Sequence, residues 1–356
     1  MNAGGHAAAL DALVAGTRSL DDLTKDAEPG IDMLPALVGY LTSDLPIDAL
    51  ERVEALLKSI LYAACKRGVT GAEARSIALF QKQVGFLLKY KPYAVKCASP
   101  LGYSLFLQSE AEGFSFQRHT EHKVEVFHIV EVQPGGYAFI CDFSDWEEAF
   151  DPESFARWLQ GGADERYDRY RYEVSPGDVL IIDQLNVVHT VLGCVVEEFA
   201  TVSTDMVDRL YDQNSRAQIP ARFDREFTRA RLAELPYPGE SRRIYGSVTG
   251  EIQPEPVEGG SVRVLADSFV GARAYTIDRR RSGPALLDAE RAAAVYVTGG
   301  SGEFVVADTP PIPVAKGDLL TIVPGIRYQA TNRGDDPLTF SEHRIAPEVA
   351  FLPDAT

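Results

Sequence analysis

The sequence predicts a mainly β chain of two antiparallel barrels or sandwiches behind an α-helical N-terminal unit. Three observations carry that expectation. Hydrophobic periodicity changes from helical to alternating near Pro92, short β-branched and aromatic runs separated by glycine and proline follow it, and part of that β pattern recurs in the last third of the chain.

The helical unit comes first. In "SDLPIDALERVEALLKSILYAACKRG" Leu50, Val53, Leu57 and Ile60 fall on one helical face, Ser43 or Asp44 can cap the start, and Lys66, Arg67 and Gly68 mark the stop. The next helix opens with Thr70 and Glu73 in capping-box spacing and turns Ile77, Phe80, Val84 and Leu87 inward. With weaker segments before Pro46 these make residues 1–92 a helical domain.

Residues 93–235 read as the first β domain. Its runs "YAVKCA", "GYSLFLQSE", "FSFQRH", "VEVFHIVEV" and "YAFICDF" suit an antiparallel sandwich or barrel. A polar and aromatic insertion, "SDWEEAFDPESFARWLQGGADERYDRY", carries one short helix near Phe155 to Leu159. Strands return in "YEVSPGDVLIIDQLNVVHTVLGCVVEEFATVS", with Pro176, Gly177 and Asp178 as a turn. Residues 236–261 are rich in proline and glycine and lack period, so they read as a linker or an excursion over the surface. Residues 262–356 form the second β domain. There "VAKGDLLTIVPGIRYQAT" at 314–331 matches "VSPGDVLIIDQLNVVHTV" at 174–191, and "AAAVYVTG" at 292–299 pairs with "EVFHIVEV" at 125–132.

Composition narrows the function. A net charge of −17 repels phosphate over roughly a Debye length, which excludes nucleic acid and anionic membrane as partners and leaves a small-molecule substrate. The helices carry no basic recognition stripe. The alanine-rich N-terminus has no basic start and Asp11 interrupts its apolar run, so it does not resemble a secretory signal, and no stretch is long and apolar enough to span a membrane. The expected location is the cytoplasm. Cys65, Cys97, Cys141 and Cys194 lie far apart and read as buried free thiols.

One segment concentrates chemistry. "FQRHTEHKVEVFHIVEV", residues 116–132, holds three of the six histidines. A histidine-bearing turn, a glutamate-led strand, a Pro-Gly-Asp turn and a histidine some way past the glycine together resemble the cupin superfamily, whose fold is a tandem or single double-stranded β-helix, or jelly roll. The resemblance covers roughly residues 93–205 and again 262–345 and implies a bicupin with a helical front. It implies metal ligands at Gln117, His119, Glu125 and His189.

The chemistry of the residues agrees with that set. Gln117 and His119 are two apart in a strand and share a face, and Glu125 and His189 can meet them from neighbouring strands. Two imidazoles and one carboxylate suit zinc, iron, manganese or nickel. Burying Glu125 without a cation would cost several kcal/mol or force it neutral. A slipped register would instead make His122 the ligand, or bring Glu121 in. His128, three residues after Glu125, falls on the other face and reads as structural. In the second repeat Ala292 and Gln329 stand where Glu125 and His189 do, and His343 is its only histidine, so that barrel is expected to bind no metal. It packs on the first, although Arg327 and Tyr328 could reach a ligand pocket.

Within the cupins, Gln117, His119, Lys123 and Glu125 resemble the Gln-x-His and Lys-x-Glu of type I phosphomannose isomerases, and D-lyxose-isomerase-like cupins also place Lys-x-Glu after histidines. The segment "EEFATVSTDMVDRLYDQNSR" resembles the acidic and aromatic tail of such sugar cupins. The long loop of the phosphomannose isomerases before the lysine is missing, and Thr120 replaces their proline. The resemblance implies a metal-dependent aldose–ketose isomerase or epimerase on a sugar or sugar phosphate, with one divalent ion (Zn, Fe or Mn) and Lys123 or His122 as acid or base. Arg216 and Lys123 could hold a phosphate or carboxylate. Two further readings stay open: an Fe(II) oxygenase in which Gln117 is not a ligand, and a non-catalytic sugar-binding bicupin. A homodimer through sheet edges fits the family.

Overall fold

The computed structural model describes residues 3–22, 30–43, 45–91, 94–110, 112–201, 207–212 and 225–351. The chain is mainly β. Among the described residues four α-helices lead: α1 (Ala3–Val14), α2 (Leu34–Leu41), α3 (Ile47–Arg67) and α4 (Gly71–Val84). Leu50, Val53, Leu57 and Ile60 are buried along α3 as their spacing requires. The helix starts after Pro46 with no side-chain cap, so Ser43 does not serve there, and Asp44 lies outside the described residues. The capping box of α4 is formed: Thr70 Oγ1 accepts from the Glu73 amide and Glu73 accepts from the Thr70 amide. Arg67, then the Thr70 amide, holds the Glu73 carboxyl down to about 2.

Leu87 does not extend α4. Gly85, at φ 65°, stops the helix, and Leu87–Lys91 becomes strand β1. The alternating pattern therefore begins before Pro92. Strands β2 (Ala94–Ala98), β3 (Tyr103–Leu107), β4 (Phe116–His119), β5 (Glu125–Asp142), β6 (Arg171–Glu173), β7 (Asp178–Ile182), β8 (Val187–Ala200) and β9 (Val207–Tyr211) follow. Between β5 and β6 lie α5 (Phe143–Ala149), α6 (Pro152–Leu159) and α7 (Glu165–Asp168), where the sequence suggested a single helix. Their aromatics, Trp146, Phe155, Trp158 and Tyr167, pack on Phe116 and Phe139 of the sheet.

Strands β5 and β8 are long enough to bend across two faces. Their register shifts between Val132 and Tyr137, where Gly135 takes φ 78° and a Cβ on Gly136 would lie 2.6 Å from Gly193 O. One face then runs β3-β8-β5-β7 and the other β4-β8-β5-β6.

After α8 (Arg225–Glu234), residues 236–261 are not a structureless excursion. They contain β10 (Ser241–Tyr245), β11 (Gly250–Ile252) and β12 (Glu255–Val257). Pattern was weak there because β10 joins the sheet as a short parallel neighbour of β7, with β11 beyond it, and a charge fixes it: Arg242 Nε donates to Asp178 Oδ1 at 2.6 Å. The remaining strands are β13 (Gly260–Asp267), β14 (Gly271–Ile277), β15 (Ser282–Leu286), β16 (Ala292–Gly299), β17 (Ser301–Val306), β18 (Ile312–Ala315), β19 (Leu319–Ile322), β20 (Tyr328–Asn332) and β21 (Leu338–Ile345), before a last turn of helix, α9 (Pro347–Ala350). Their sheets run β12-β13-β14-β21-β16-β19 and β15-β20-β17-β18. Counting β14 to β21 as one to eight, the faces read 1-8-3-6 and 2-7-4-5, the strand order of a jelly roll. The first unit has the same order, with β5 and β8 each doing the work of two strands. This is the double jelly roll that the cupin resemblance implies.

The repeat holds at atomic detail. Ser175 N donates to Asp178 Oδ2 at 2.7 Å, and Ala315 N donates to Asp318 Oδ2 at 2.8 Å, in the two Gly-Asp turns. Gly177 is at φ 93° and Gly317 at φ 95°.

One apolar core runs from the helices through the seam into the second barrel. Gln81 of α4 accepts from Thr321 Oγ1 of β19 at 3.0 Å, and Lys89 of β1 pairs with buried Glu54 of α3 at 2.7 Å. His343 sits in this seam, fully buried with its ring centroid 5.9 Å from that of Phe199, and burial pushes its imidazole down to about 3. Between that value and its ordinary 6.5 the unfolded chain binds a proton that the native chain refuses, so stability falls as the pH drops through the window. Replacing His343 by Leu is expected to remove about 2 kcal/mol of the acid destabilisation at about pH 5, read from urea unfolding at about pH 7.5 and about pH 5.

Candidate metal centre

Strand alternation decides which side chains enter the first barrel. Val187, His189 and Val191 of β8 face inward, with Phe127, Ile129 and Ile140 of β5 among the core they join. Val188 and Phe116 face outward onto the aromatic insertion. Glu125 opens β5 opposite Ile182 of β7 and Ala200 of β8. His119 ends β4, opposite Val207 of β9. A turn holds that end in place: Asn186, at φ 62°, donates its amide to His119 O at 3.2 Å and accepts from Arg118 Nη1.

His119, Glu125 and His189 converge. One ligand atom from each lies within 4.8 Å of the others, and all three residues are buried. His119 Nε2 and His189 Nε2 stand 3.3 and 3.1 Å from Glu125 Oε2. Donor atoms bound at about 2.1 Å to one cation are themselves about 3.0–3.4 Å apart, so the spacing fits a metal. His189 Nδ1 lies 3.0 Å from Val187 O, the contact that leaves Nε2 with its lone pair aimed at the centre. Both nitrogens of His119 are buried without a hydrogen-bond partner, which a bound cation would remedy at one of them.

The electrostatics favour ligand forms. Burial pushes the His119 imidazole down against the pull of Glu125, keeping it neutral. Burial alone would raise Glu125, but Lys123, then His119, outweighs it and holds the carboxyl well below its usual range. Lys123 is buried, and its Nζ contacts Glu125 Oε1. Burial opposes its charge, yet Glu125 and Glu198 keep the ammonium above its ordinary value.

The other expected residues are placed as follows. Gln117 lies opposite His189 on one side and Arg209 of β9 on the other, and its Oε1 accepts from Ser115 Oγ at 3.1 Å. His122 is exposed and outside the converging group, its ring edge-on to Phe269 of the second barrel at 5.0 Å. Glu121 is likewise exposed. The geometry thus brings His119 inward and turns His122 outward. Lys123 lies inside rather than at the mouth. His128, on the outer face, pairs through Nδ1 with Glu197 Oε2 at 2.6 Å, and Tyr103 donates to the same carboxylate at 2.5 Å. Arg216 lies outside the described residues. In the second barrel the pairing Ala293 to Ile322 mirrors Glu125 to Ile182, so Ala293 rather than Ala292 is the counterpart of Glu125. Arg327 pairs with Asp308 and Tyr328 donates to Glu342, so both are engaged within their own barrel.

Sequence reading missed Arg209. Its register puts it on one rung with Gln117 and His189, on the same side of the sheet, with its side chain exposed. The signal was its place in a strand pairing with β4, which no local pattern discloses.

Lys123→Met is expected to destabilise the metal-free protein by roughly 3 kcal/mol, because a buried carboxylate loses its strongest partner. Addition of zinc or manganese should restore part of that loss, measured as a shift in urea midpoint.

No protein-family model matches the chain, and no curated protein does. Solved structures similar to it include oxalate decarboxylase from Bacillus subtilis, at 13% identity over 72% of this chain and 73% of that one with a TM-score of 0.42. AerE from Microcystis aeruginosa matches at 9% identity over 73% and 98% of the two chains, also with a TM-score of 0.42. Likenesses this distant carry neither metal nor substrate to this chain.

Proposed function

We propose that the chain is a metal-dependent isomerase or epimerase of a sugar or sugar phosphate, with its centre in the first jelly roll. The observation that carries the reading is the convergence of His119, Glu125 and His189 with ligand atoms within 4.8 Å. A divalent cation bound there would polarise a carbonyl and its neighbouring hydroxyl. Residues of the chain supply the rest. Arg209, on the rung of Gln117 and His189, provides a fork of donors for an anionic or hydroxyl oxygen of the substrate. The Lys123 ammonium, in contact with Glu125, places a fixed positive charge beside the centre that would stabilise negative charge developing on the substrate. His122, exposed between the two ligands of this loop, can exchange protons with solvent at the outer end of the site. The buried walls of Phe127, Ile129 and Val191 exclude water from the inner side.

One observation supports a second reading. Two histidines and one carboxylate are also the facial donor set of non-haem iron oxygenases, and the Gln117 Oε1 is already engaged by Ser115. A distinguishing experiment loads the full chain with manganese, zinc or iron in turn. The isomerase reading expects D-mannose 6-phosphate or a related aldose phosphate to yield the ketose without oxygen uptake. Oxygen consumption confined to the iron form, with no ketose, would replace it with the oxygenase.

Arg209→Gln is expected to lower kcat/KM for the sugar phosphate by roughly a hundredfold while leaving one metal per chain, whereas His189→Ala should lose the metal itself. Metal analysis beside steady-state rates separates the two.

A further inference from the structure

Among the described residues the large hydrophobic side chains that remain exposed are Tyr62, Leu185, Val248, Phe269 and Leu287. Two of these flank the loop that carries the candidate ligands. Leu185, 46% exposed, immediately precedes Asn186, whose amide is bonded to His119 O. Phe269, 60% exposed, comes from the other barrel and sets its ring 5.0 Å from the ring of His122, at an interplanar angle of 68°. His122 lies between His119 and Glu125 and next to Lys123, which touches Glu125.

Phe269 is held in that position. It tips the hairpin between β13 and β14, where Asp267 opposes Gly271 and Ser268 N donates to Val270 O at 3.3 Å. Val270 is fully buried as the anchor of the turn, and the Asp267 carboxylate takes Arg273 Nη2 at 3.1 Å. The facing loop is fixed too, since the Val124 amide donates to Thr201 Oγ1 at 3.1 Å and the Thr201 amide donates to Val124 O at 3.0 Å. Two anchored loops from different barrels thus set an aromatic ring against the imidazole that lies between the candidate ligands, and Leu185 is exposed beside the turn that holds His119. Sites that combine a few convergent polar groups with apolar walls at a domain junction bind small molecules.

We propose that Phe269, seated against His122, forms an apolar rim that packs on the C–H face of the substrate while its reacting end lies at His119, Glu125 and His189. The second barrel then contributes a specificity residue to a centre in the first, and the substrate class is a sugar with a ring or extended C–H face beyond its reacting carbons. This inference rests on the isomerase reading of the same site.

The test uses the full chain loaded with cobalt(II), in wild type, Phe269→Ala and Phe269→Tyr. In calorimetric titration with D-mannose 6-phosphate, Phe269→Ala is expected to bind roughly tenfold more weakly and to show a raised KM with kcat nearly unchanged, while Phe269→Tyr stays within about twofold. A second arm needs no sugar: extraction of cobalt by EDTA, followed by loss of its absorption, should run several-fold faster in Phe269→Ala because the mouth is wider. Equal sugar affinity in Phe269→Ala and wild type overturns the rim, as does loss of cobalt from Phe269→Ala at purification, which would make Phe269 a structural support. If wild type binds no sugar phosphate, the isomerase reading falls, and the extraction arm alone decides: faster release sustains a rim at the mouth, and unchanged release overturns it.

Discussion

Everything at the candidate centre depends on keeping one carboxylate, Glu125, ionised inside a barrel. It is 1% exposed, and the groups around it are Lys123, His119 and His189. A buried carboxylate is tolerated when opposite charge and donors surround it closely, and here all three partners come from the two strands and the loop that Glu125 itself begins or abuts. Lys123 satisfies one oxygen. The other lies between two imidazole Nε2 atoms at 3.3 and 3.1 Å, a spacing that a cation held by all three groups would also give.

The jelly roll supplies the positions. Long strands β5 and β8 bend across both faces, so Glu125 and His189 belong to strands that stay paired along most of their length while reaching the interior from different sheets. His119 arrives on the short strand β4, fixed by Asn186 in a left-handed turn. Outside the barrel the same alternation turns His128 and Glu197 toward the seam, where Tyr103 completes a buried polar chain. Inner and outer faces of β5 and β8 therefore carry separate polar clusters, one suited to a ligand and the other closed by its own hydrogen bonds.

The second barrel lacks the donors and keeps the architecture. Ala293 and Gln329 stand at the counterparts of Glu125 and His189, and its interior charges, Glu342, Arg344 and Arg273, are paired with one another. It is bound to the helical unit and the first barrel by one continuous core, and its β13–β14 hairpin reaches the loop between His119 and Glu125.

The pattern of residues by itself determined the helices α3 and α4, the capping box, the repeated Gly-Asp turns and Glu125 and His189 as members of one inward set. These follow from spacing along one strand or helix, where periodicity fixes which side chains share a face. Tertiary structure alone decided the rest. Leu87 left its helix because Gly85 ended it, and the glycine- and proline-rich residues after α8 became strands because β7 offered an edge and Asp178 a partner for Arg242. His119 rather than His122 turned inward, Lys123 became a buried partner of Glu125, Arg209 came to pair with Gln117 and Phe269 came to lie against His122, each from a strand or hairpin distant in sequence. Those choices depend on which strand lies beside which and on how two barrels dock, and non-local pairing of that kind leaves no local mark in the order of residues.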